Sequence, residues 1–452
     1  MIDELKPYSD YKDSGLPWLG KVPGHWSIAR GGTLFSKADR PVRPGDETVT
    51  CFRDGTVTLR KNRRLRGYTE AIYELGYQGI RKGDLIIHAM DAFAGAIGVS
   101  DSDGKGSPIY GVCVPKSDAN PYFYAHVVRE MARTQWILAL SRGIRERSTD
   151  FRFEGFATQF VPVPPPAEQA AIVRFLGALD RRVNRFVRAK RRLIELLTEQ
   201  KQAIITHSVT RGLNPNAKLK PSGIDWLGDV PEHWRVERLA KFFTLQRGFD
   251  ITKEKQTHGG VPVVSSGGVS SYHNCATSHG PGVIVGRKGT AGSVHYVDGQ
   301  YWAHDTTLWV NDFKGNHPRY VYYVLLALNL KRFDTGSANP TLNRNVIHPE
   351  PIAYPASTDE QHAIASSVDR ALLRNASTRE IVDREIALIR EYRTRLVSDV
   401  VTGKLDVRAA AERLPAEEAA ADETDAGDDV VSPDEADDLV EAGAMTDDVD
   451  GE

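Results

Sequence analysis

Three cysteines in 452 residues, Cys51, Cys113 and Cys275, are too few and too scattered for a disulfide framework. No run of about 18 apolar residues could cross a bilayer, and no basic-then-apolar stretch of the secretory kind opens the sequence. Both absences lead us to expect a cytoplasmic protein with no membrane partner. Signatures of catalysis are missing too. The sequence has no G-x-x-x-x-G-K-[ST] phosphate loop, no G-x-S-x-G elbow, no H-E-x-x-H and no Asn/Asp-Pro-Pro-Tyr/Phe tetrapeptide. Gly286-Arg-Lys-Gly-Thr-Ala-Gly292 has the flavour of a phosphate loop but the wrong spacing. Cys275 lies between His273 and His279 without a second ligand pair, so no metal site is expected. His88, Asp91, His304 and Asp305 could be argued into a catalytic cluster, yet no spacing unites them.

The chain also lacks net charge, at −2, but the balance hides a division. Residues 412–452 hold 17 acidic side chains and one basic one, which leaves 43 acidic against 57 basic residues in 1–411. A basic body suits a polyanionic partner. The acidic tail is too polar to bury a core, and disorder is expected there.

What the chain does have is self-similarity. SGLPWLGKVPGHW (14–26) and SGIDWLGDVPEHW (222–234) agree at nine of thirteen positions with an offset of 208. A second pair, AEQAAIV from Ala167 and DEQHAIA from Asp359, is offset by 192, and the same register carries Val209-Thr210 onto Val401-Thr402. The order is a module, a helix, a module and a helix, which marks duplicated units. The expected boundaries are 1–163, 164–213, 214–355 and 356–408, followed by a tail over 409–452.

Segment 164–213 reads as one helix. Ile172, Leu176, Leu179, Val183, Phe186, Lys190, Leu193, Leu197, Gln200 and Ile204 fall on one line in alternating steps of four and three, a coiled-coil seam. Pro164 to Pro166 precede it, and Gly212 and Pro215 end it. In the second helix Ile364, Val368, Leu372, Ile381, Ile386, Ile389 and Leu396 mark the apolar face. Neither seam can be buried alone. Packing the two together, antiparallel, is the economical solution; the alternative packs each helix on its own globular module.

The modules read as α/β. Asp84–His88 and Gly282–Gly286 are short, β-rich and fenced by glycine, whereas Tyr122–Leu140 and Pro318–Phe333 read as amphipathic helices. Trp18, Gly20, Pro23 and Trp26, with Trp226, Gly228, Pro231 and Trp234, read as a packed structural strap. Polar loops supply the candidate nucleic-acid contacts: Lys61, Arg63, Arg64 and Arg66, then Arg142, Arg145, Arg147 and Arg152. In the second module they are Arg287, Lys288 and Thr290, with Ser337, Asn339, Asn343 and Arg344. Arginine can fork onto guanine and asparagine onto adenine, while phosphate contacts position a protein.

This arrangement resembles the DNA-specificity subunit of type I restriction–modification systems. The resemblance covers about residues 10–408. It rests on the repeated WLGxVPxHW, on VPVPPPAEQAAIV with YPASTDEQHAIA, and on VTRGL with VTGKL. It implies an α+β protein: two α/β target-recognition domains, separated by two long antiparallel helices in a coiled coil, with a pseudo-twofold internal repeat. Each module would read one half of a split site in double-stranded DNA. The helices would set the gap and dock two methyltransferase subunits, with restriction subunits joining for cleavage. No cofactor belongs to this chain in that scheme; S-adenosylmethionine sits in the methyltransferase, and ATP and Mg in the restriction subunit. The residues left open two other readings, a stand-alone nuclease or methyltransferase and a structural scaffold.

Overall fold

The computed structural model describes residues 5–63, 75–116, 118–140, 150–334 and 341–415. The acidic tail therefore lies largely outside the described residues. The chain forms two compact units, one of residues 1–187 and 387–452, the other of residues 188–386.

In the first unit, β1 (Ser27–Arg30) is followed by β2 (Phe35–Lys37), the hairpin strands β3 (Val49–Cys51) and β4 (Val57–Leu59), then β5 (Leu85–His88), β6 (Ile97–Val99) and β7 (Tyr110–Pro115). Helix α1 (Pro121–Arg133), β8 (Phe160–Val163) and the long α2 (Pro166–Arg211), whose residues from 188 on fall in the second unit, complete the order. A four-stranded antiparallel sheet runs β2-β7-β5-β6, and β1 pairs with β8 beside it. Leu85, Ile86 and Ile87 are fully buried, which is why this strand reads as an unbroken apolar run rather than an alternation. Helix α1 lays Phe123, Tyr124, Val127, Val128 and Met131 against the sheet. Pro121 opens the helix, and the Asn120 side chain accepts from the Tyr122 and Phe123 amides.

The second unit repeats this plan. Its strands are β9 (Arg235–Arg238), β10 (Thr244–Arg247), β11 (Val261–Ser265), β12 (Gly268–His273), β13 (Gly282–Gly286), β14 (Val294–Val297) and β15 (Thr307–Asp312). Helix α3 (Pro318–Ala327), β16 (Pro351–Tyr354) and the long α4 (Thr358–Val401), whose residues from 387 on fall in the first unit, follow. The sheet order is β10-β15-β13-β14, β9 pairs with β16, and β11 with β12 forms the hairpin. Both copies thus run an edge strand, the hairpin, two central strands and a crossing helix in the same sequence. Each expected crossing helix is shorter than its apolar pattern. Gln135 (φ 61°) and Asn329 (φ 46°) adopt left-handed backbone, which ends the helical hydrogen bonding, so Trp136–Leu140 and Leu330–Phe333 are separate turns.

Helices α2 and α4 hold 46 and 44 residues. At about 1.5 Å per residue each is between 60 and 70 Å long. Within each unit their segments run antiparallel. In the second unit Lys190 pairs with Glu385 at 2.7 Å, and Asn375 Nδ2 donates to the Leu197 carbonyl at 2.9 Å. In the first, the Arg393 guanidinium forks onto Asp180 at 2.6 and 2.8 Å.

The buried stripe differs from the expected seam. Ile172, Leu176, Leu179, Val183 and Leu197 are buried, and so are Ile364, Val368 and Leu396. Phe186 instead is 38% exposed and Val187 takes its place at 7%. Leu193, Ile204 and Ile389 are half-buried, Ile205 is buried beside Ile204, and Val382 is buried where Ile381 was expected. A helix of 3.6 residues per turn drifts about 20° per heptad against a strict 3.5 repeat, so the stripe steps by four from Val183 to Val187.

Candidate nucleic-acid interface

The repeated strap is built around one carboxylate. In the first unit Trp26 Nε1 donates to Glu168 Oε1 at 2.9 Å, His25 Nε2 lies 2.8 Å from Oε2, and the Tyr8 hydroxyl donates to Oε1 at 2.5 Å. In the second, Trp234 Nε1 donates to Glu360 Oε1 at 3.0 Å and His233 Nε2 lies 2.9 Å from Oε2. Glu168 and Glu360 stand in the first turns of α2 and α4, where a negative charge suits the helix dipole. Burial and the neighbouring Glu168 push the Tyr8 phenol well up.

The next residue in each copy joins the same helix to the module. Gln169 Oε1 accepts from the Asn120 amide at 2.9 Å while its Nε2 donates to the Pro164 carbonyl. Gln361 accepts from His317 at 2.8 Å and donates to the Pro355 carbonyl. Sequence reasoning used the Glu-Gln repeat only to align the helices and missed its role. The signal was there: an acid–amide pair repeated at the start of a helix otherwise free to vary.

The strap seats the module; the loops at one end of the sheet present it. In the second unit Arg247 pairs with Leu308 and Gly286 with Thr307, so β10, β15 and β13 end side by side. The loop after β13 is tied to both neighbours. The Arg287 and Lys288 amides donate to the Thr306 carbonyl, and Leu342 donates back to the Arg287 carbonyl. Arg287, Lys288, Thr290, Asn343 and Arg344 are thereby gathered at this end, with Lys288, Thr290, Asn343 and Arg344 exposed. Their duties differ. Arg287 is only 12% exposed, and its Nε and Nη2 donate to the Asp305 carbonyl at 3.0 and 2.9 Å. The Asn343 side chain accepts from the Asn345 amide, and Arg344 Nη1 donates to the Leu245 carbonyl at 3.4 Å. Ser337 and Asn339 lie outside the described residues.

Arg247 was not among the expected residues. It stands at the strand end, and Gly248 follows because a Cβ there would sit 2.1 Å from the His304 carbonyl oxygen. Arg247 Nη2 donates to Asp305 Oδ2 at 2.8 Å. Partial burial works against the Asp305 charge, but Arg247, with His304 and Arg287, outweighs it and holds the carboxyl below its usual range. Asp250, His304 and Asp305 bring ligand atoms within 4.8 Å of one another. The two guanidiniums at Asp305 work against a cation there.

In the first unit Lys61 pairs with Glu47 at 2.5 Å, and Arg63 pairs with Asp54 at 2.6 Å while stacking on Phe52. Arg152 pairs with Asp150 at 2.6 Å and lines a cleft of about 690 Å³ with Arg40, Tyr77, Gln78, Tyr110 and Phe153. Arg64, Arg66, Arg142, Arg145 and Arg147 lie outside the described residues. Where β5 and β7 end side by side, Arg53 meets Asp91 at 3.1 Å and His88 lies 3.6 Å from the same carboxylate. Burial keeps the His88 imidazole below its ordinary range, against the pull of Asp91. The His–Asp pairs are thus local to each module and each is engaged by an arginine.

Residues 231–383 match the type I restriction modification DNA specificity domain. None of the curated proteins compared matches by sequence. A solved structure described under complex assembly and conformational transition of the type I R-M system shares the fold, with a TM-score of 0.65 and 15% identity over 84% of this chain and 98% of that one. The HsdS subunit from Thermoanaerobacter tengcongensis aligns over 85% of this chain and 98% of its own at a TM-score of 0.49 and 16% identity. Over residues 231–383 the chain thus matches the type I restriction modification DNA specificity domain, and it shares its fold with a solved structure of the type I R-M system.

Proposed function

We propose that this chain is the sequence-specificity subunit of a type I restriction–modification complex, reading a split, asymmetric DNA site with one half-site per module. The observation that carries the reading is the sheet order β10-β15-β13-β14 inside the matched DNA-specificity segment, written a second time as β2-β7-β5-β6. Two copies of one scaffold with different loops suit two different half-sites.

On this reading the long helices pack as an antiparallel coiled coil related by a pseudo-twofold axis, and their length sets the gap between half-sites. Two methyltransferase subunits dock along them, and restriction subunits complete the cleaving complex. The chain itself is non-catalytic and works in the cytoplasm. S-adenosylmethionine belongs to the methyltransferase, and ATP and Mg to the restriction subunit. Lys61, Arg63, Arg152, Lys288, Thr290 and Arg344 contribute DNA contacts, with Arg287 and Asn343 supporting their loops. The test is a genome-wide map of methylated adenines in the host with and without the gene. Loss of methylation at one split motif of fixed gap is the expected result; an unchanged map, together with no salt-dependent DNA binding by the purified chain, would refute it.

A further inference from the structure

The loops at the end of the second sheet contain one arginine that is tied down and one that is held out, and the sequence drew attention to the first. Arg287 sits in the glycine-rich turn, yet its guanidinium is turned inward onto the Asp305 carbonyl and is 12% exposed. Arg247 is 60% exposed, and among the described residues its Nη2 end is engaged by the Asp305 carboxylate, at 2.8 Å. A guanidinium carries five N–H donors, so an outward fork remains for a ligand.

We propose that Arg247 is the guanine-reading side chain of the second module, with Asp305 as its positioning residue and Arg287 as the strut that fixes Asp305. This rests on the DNA-specificity reading above. Three observations support it. Asp305 is itself immobilised: its carbonyl takes two bonds from Arg287, and the adjoining Thr306 carbonyl accepts from the Arg287 and Lys288 amides at 2.8 and 3.1 Å. A side chain locked in this way before binding loses less freedom when it binds. Next, the pair is asymmetric: the Asp305 carboxylate is 22% exposed while the Arg247 side chain is 60% exposed, so a partly buried anchor holds a guanidinium that still faces solvent. Finally, the first module builds the same trio at the same sheet end from different chain segments. There Asp91 comes from the loop after β5, whereas Asp305 comes from the loop before β15, yet Arg53 and His88 meet Asp91 as Arg247 and His304 meet Asp305. The two copies share little local sequence here, so the recurrence points to a requirement for a positioned arginine. A forked guanidinium matches the O6 and N7 acceptors of guanine in the major groove.

The test uses the full chain co-expressed with its methyltransferase subunits, and the readout is the methylated-adenine motif. Wild type should give a split motif. Arg247→Ala should remove the requirement for one G·C pair in one half-site, lowering discrimination there about ten- to a hundredfold, while the other half-site stays intact. Arg247→Lys, which keeps the charge and a partner for Asp305, should relax the same position because lysine cannot fork. Asp305→Asn should relax it partly. If Arg247→Lys leaves every motif position required, the proposal is overturned, whether Arg247→Ala is active or inert. A uniform loss of binding with an unchanged motif and a salt slope lower by about one would make Arg247 a phosphate contact and also overturn it. If the wild-type chain gives no split motif, the DNA-specificity reading itself fails and takes this inference with it.

Discussion

The two straps share a phrase but not a depth. Glu168 is 3% exposed and takes three donors, from Tyr8, His25 and Trp26; Glu360 is 32% exposed and takes two, from His233 and Trp234. The difference follows from connectivity. In the second unit the end of α2 runs on through Gly212 into the strap, so a covalent chain holds that junction. In the first unit the end of α4 meets the strap only by contact. The Asp406 amide donates to the Lys6 carbonyl at 2.8 Å, Tyr11 reaches the Lys404 carbonyl at 3.0 Å, and Arg408 stacks over Tyr8. A junction without a peptide bond must offset the entropy of bringing its ends together, and the added burial around Tyr8 does this.

Breaking the carboxylates should expose the contrast most. Glu168→Ala leaves a buried indole N–H and a buried phenol without their acceptor and should cost about 3 kcal/mol, against about 1 kcal/mol for Glu360→Ala. Urea unfolding of the two variants checks it, and equal losses would show that the two junctions bear similar loads. The helix ends come next. Gly403 (φ 78°) would place a Cβ 2.4 Å from Pro23 Cδ, whereas a Cβ on Gly212 (φ 71°) would lie 3.3 Å from Trp234. Gly403→Ala should therefore cost about 2–3 kcal/mol and Gly212→Ala about 1 kcal/mol, read as thermal unfolding shifts.

A smaller effect separates neighbouring residues of α2. Val187→Ala should cost about 1–2 kcal/mol and Phe186→Ala less than about 0.5 kcal/mol, the reverse of what a strict heptad would give. The smallest is a pH effect in the second unit. Partial burial opposes the Asp369 charge, but Arg319 and Tyr323 outweigh it and hold its carboxyl below the usual range. Its contribution should be fully present above about pH 4, the unfolded range, and be lost as pH falls through the lower folded value. The stability gap between wild type and Asp369→Asn should narrow over that interval.

Much of the architecture was legible before any coordinates. The offsets of 208 and 192 marked the duplication, and the glycine-fenced runs around Ile86 and Ile284 marked the central strands. Pro164 to Pro166 and Gly212 bracketed the first long helix because each acts within a turn of its own position. The candidate interface was less legible. Glycine-turn composition drew attention to Arg287, while nothing in the sequence singled out Arg247.

The sequence by itself determined where the chain repeats, where its first long helix starts and stops, and where the central strands around Ile86 and Ile284 lie, since periodicity, proline and glycine act locally. Only the tertiary structure decided which residue of a neighbouring pair is buried, as with Val187 over Phe186, and which arginine is turned inward and which is largely exposed, as with Arg287 and Arg247. Those outcomes depend on a fractional helical drift and on a carboxylate 58 residues from Arg247, reached only when β10 and β15 lie side by side.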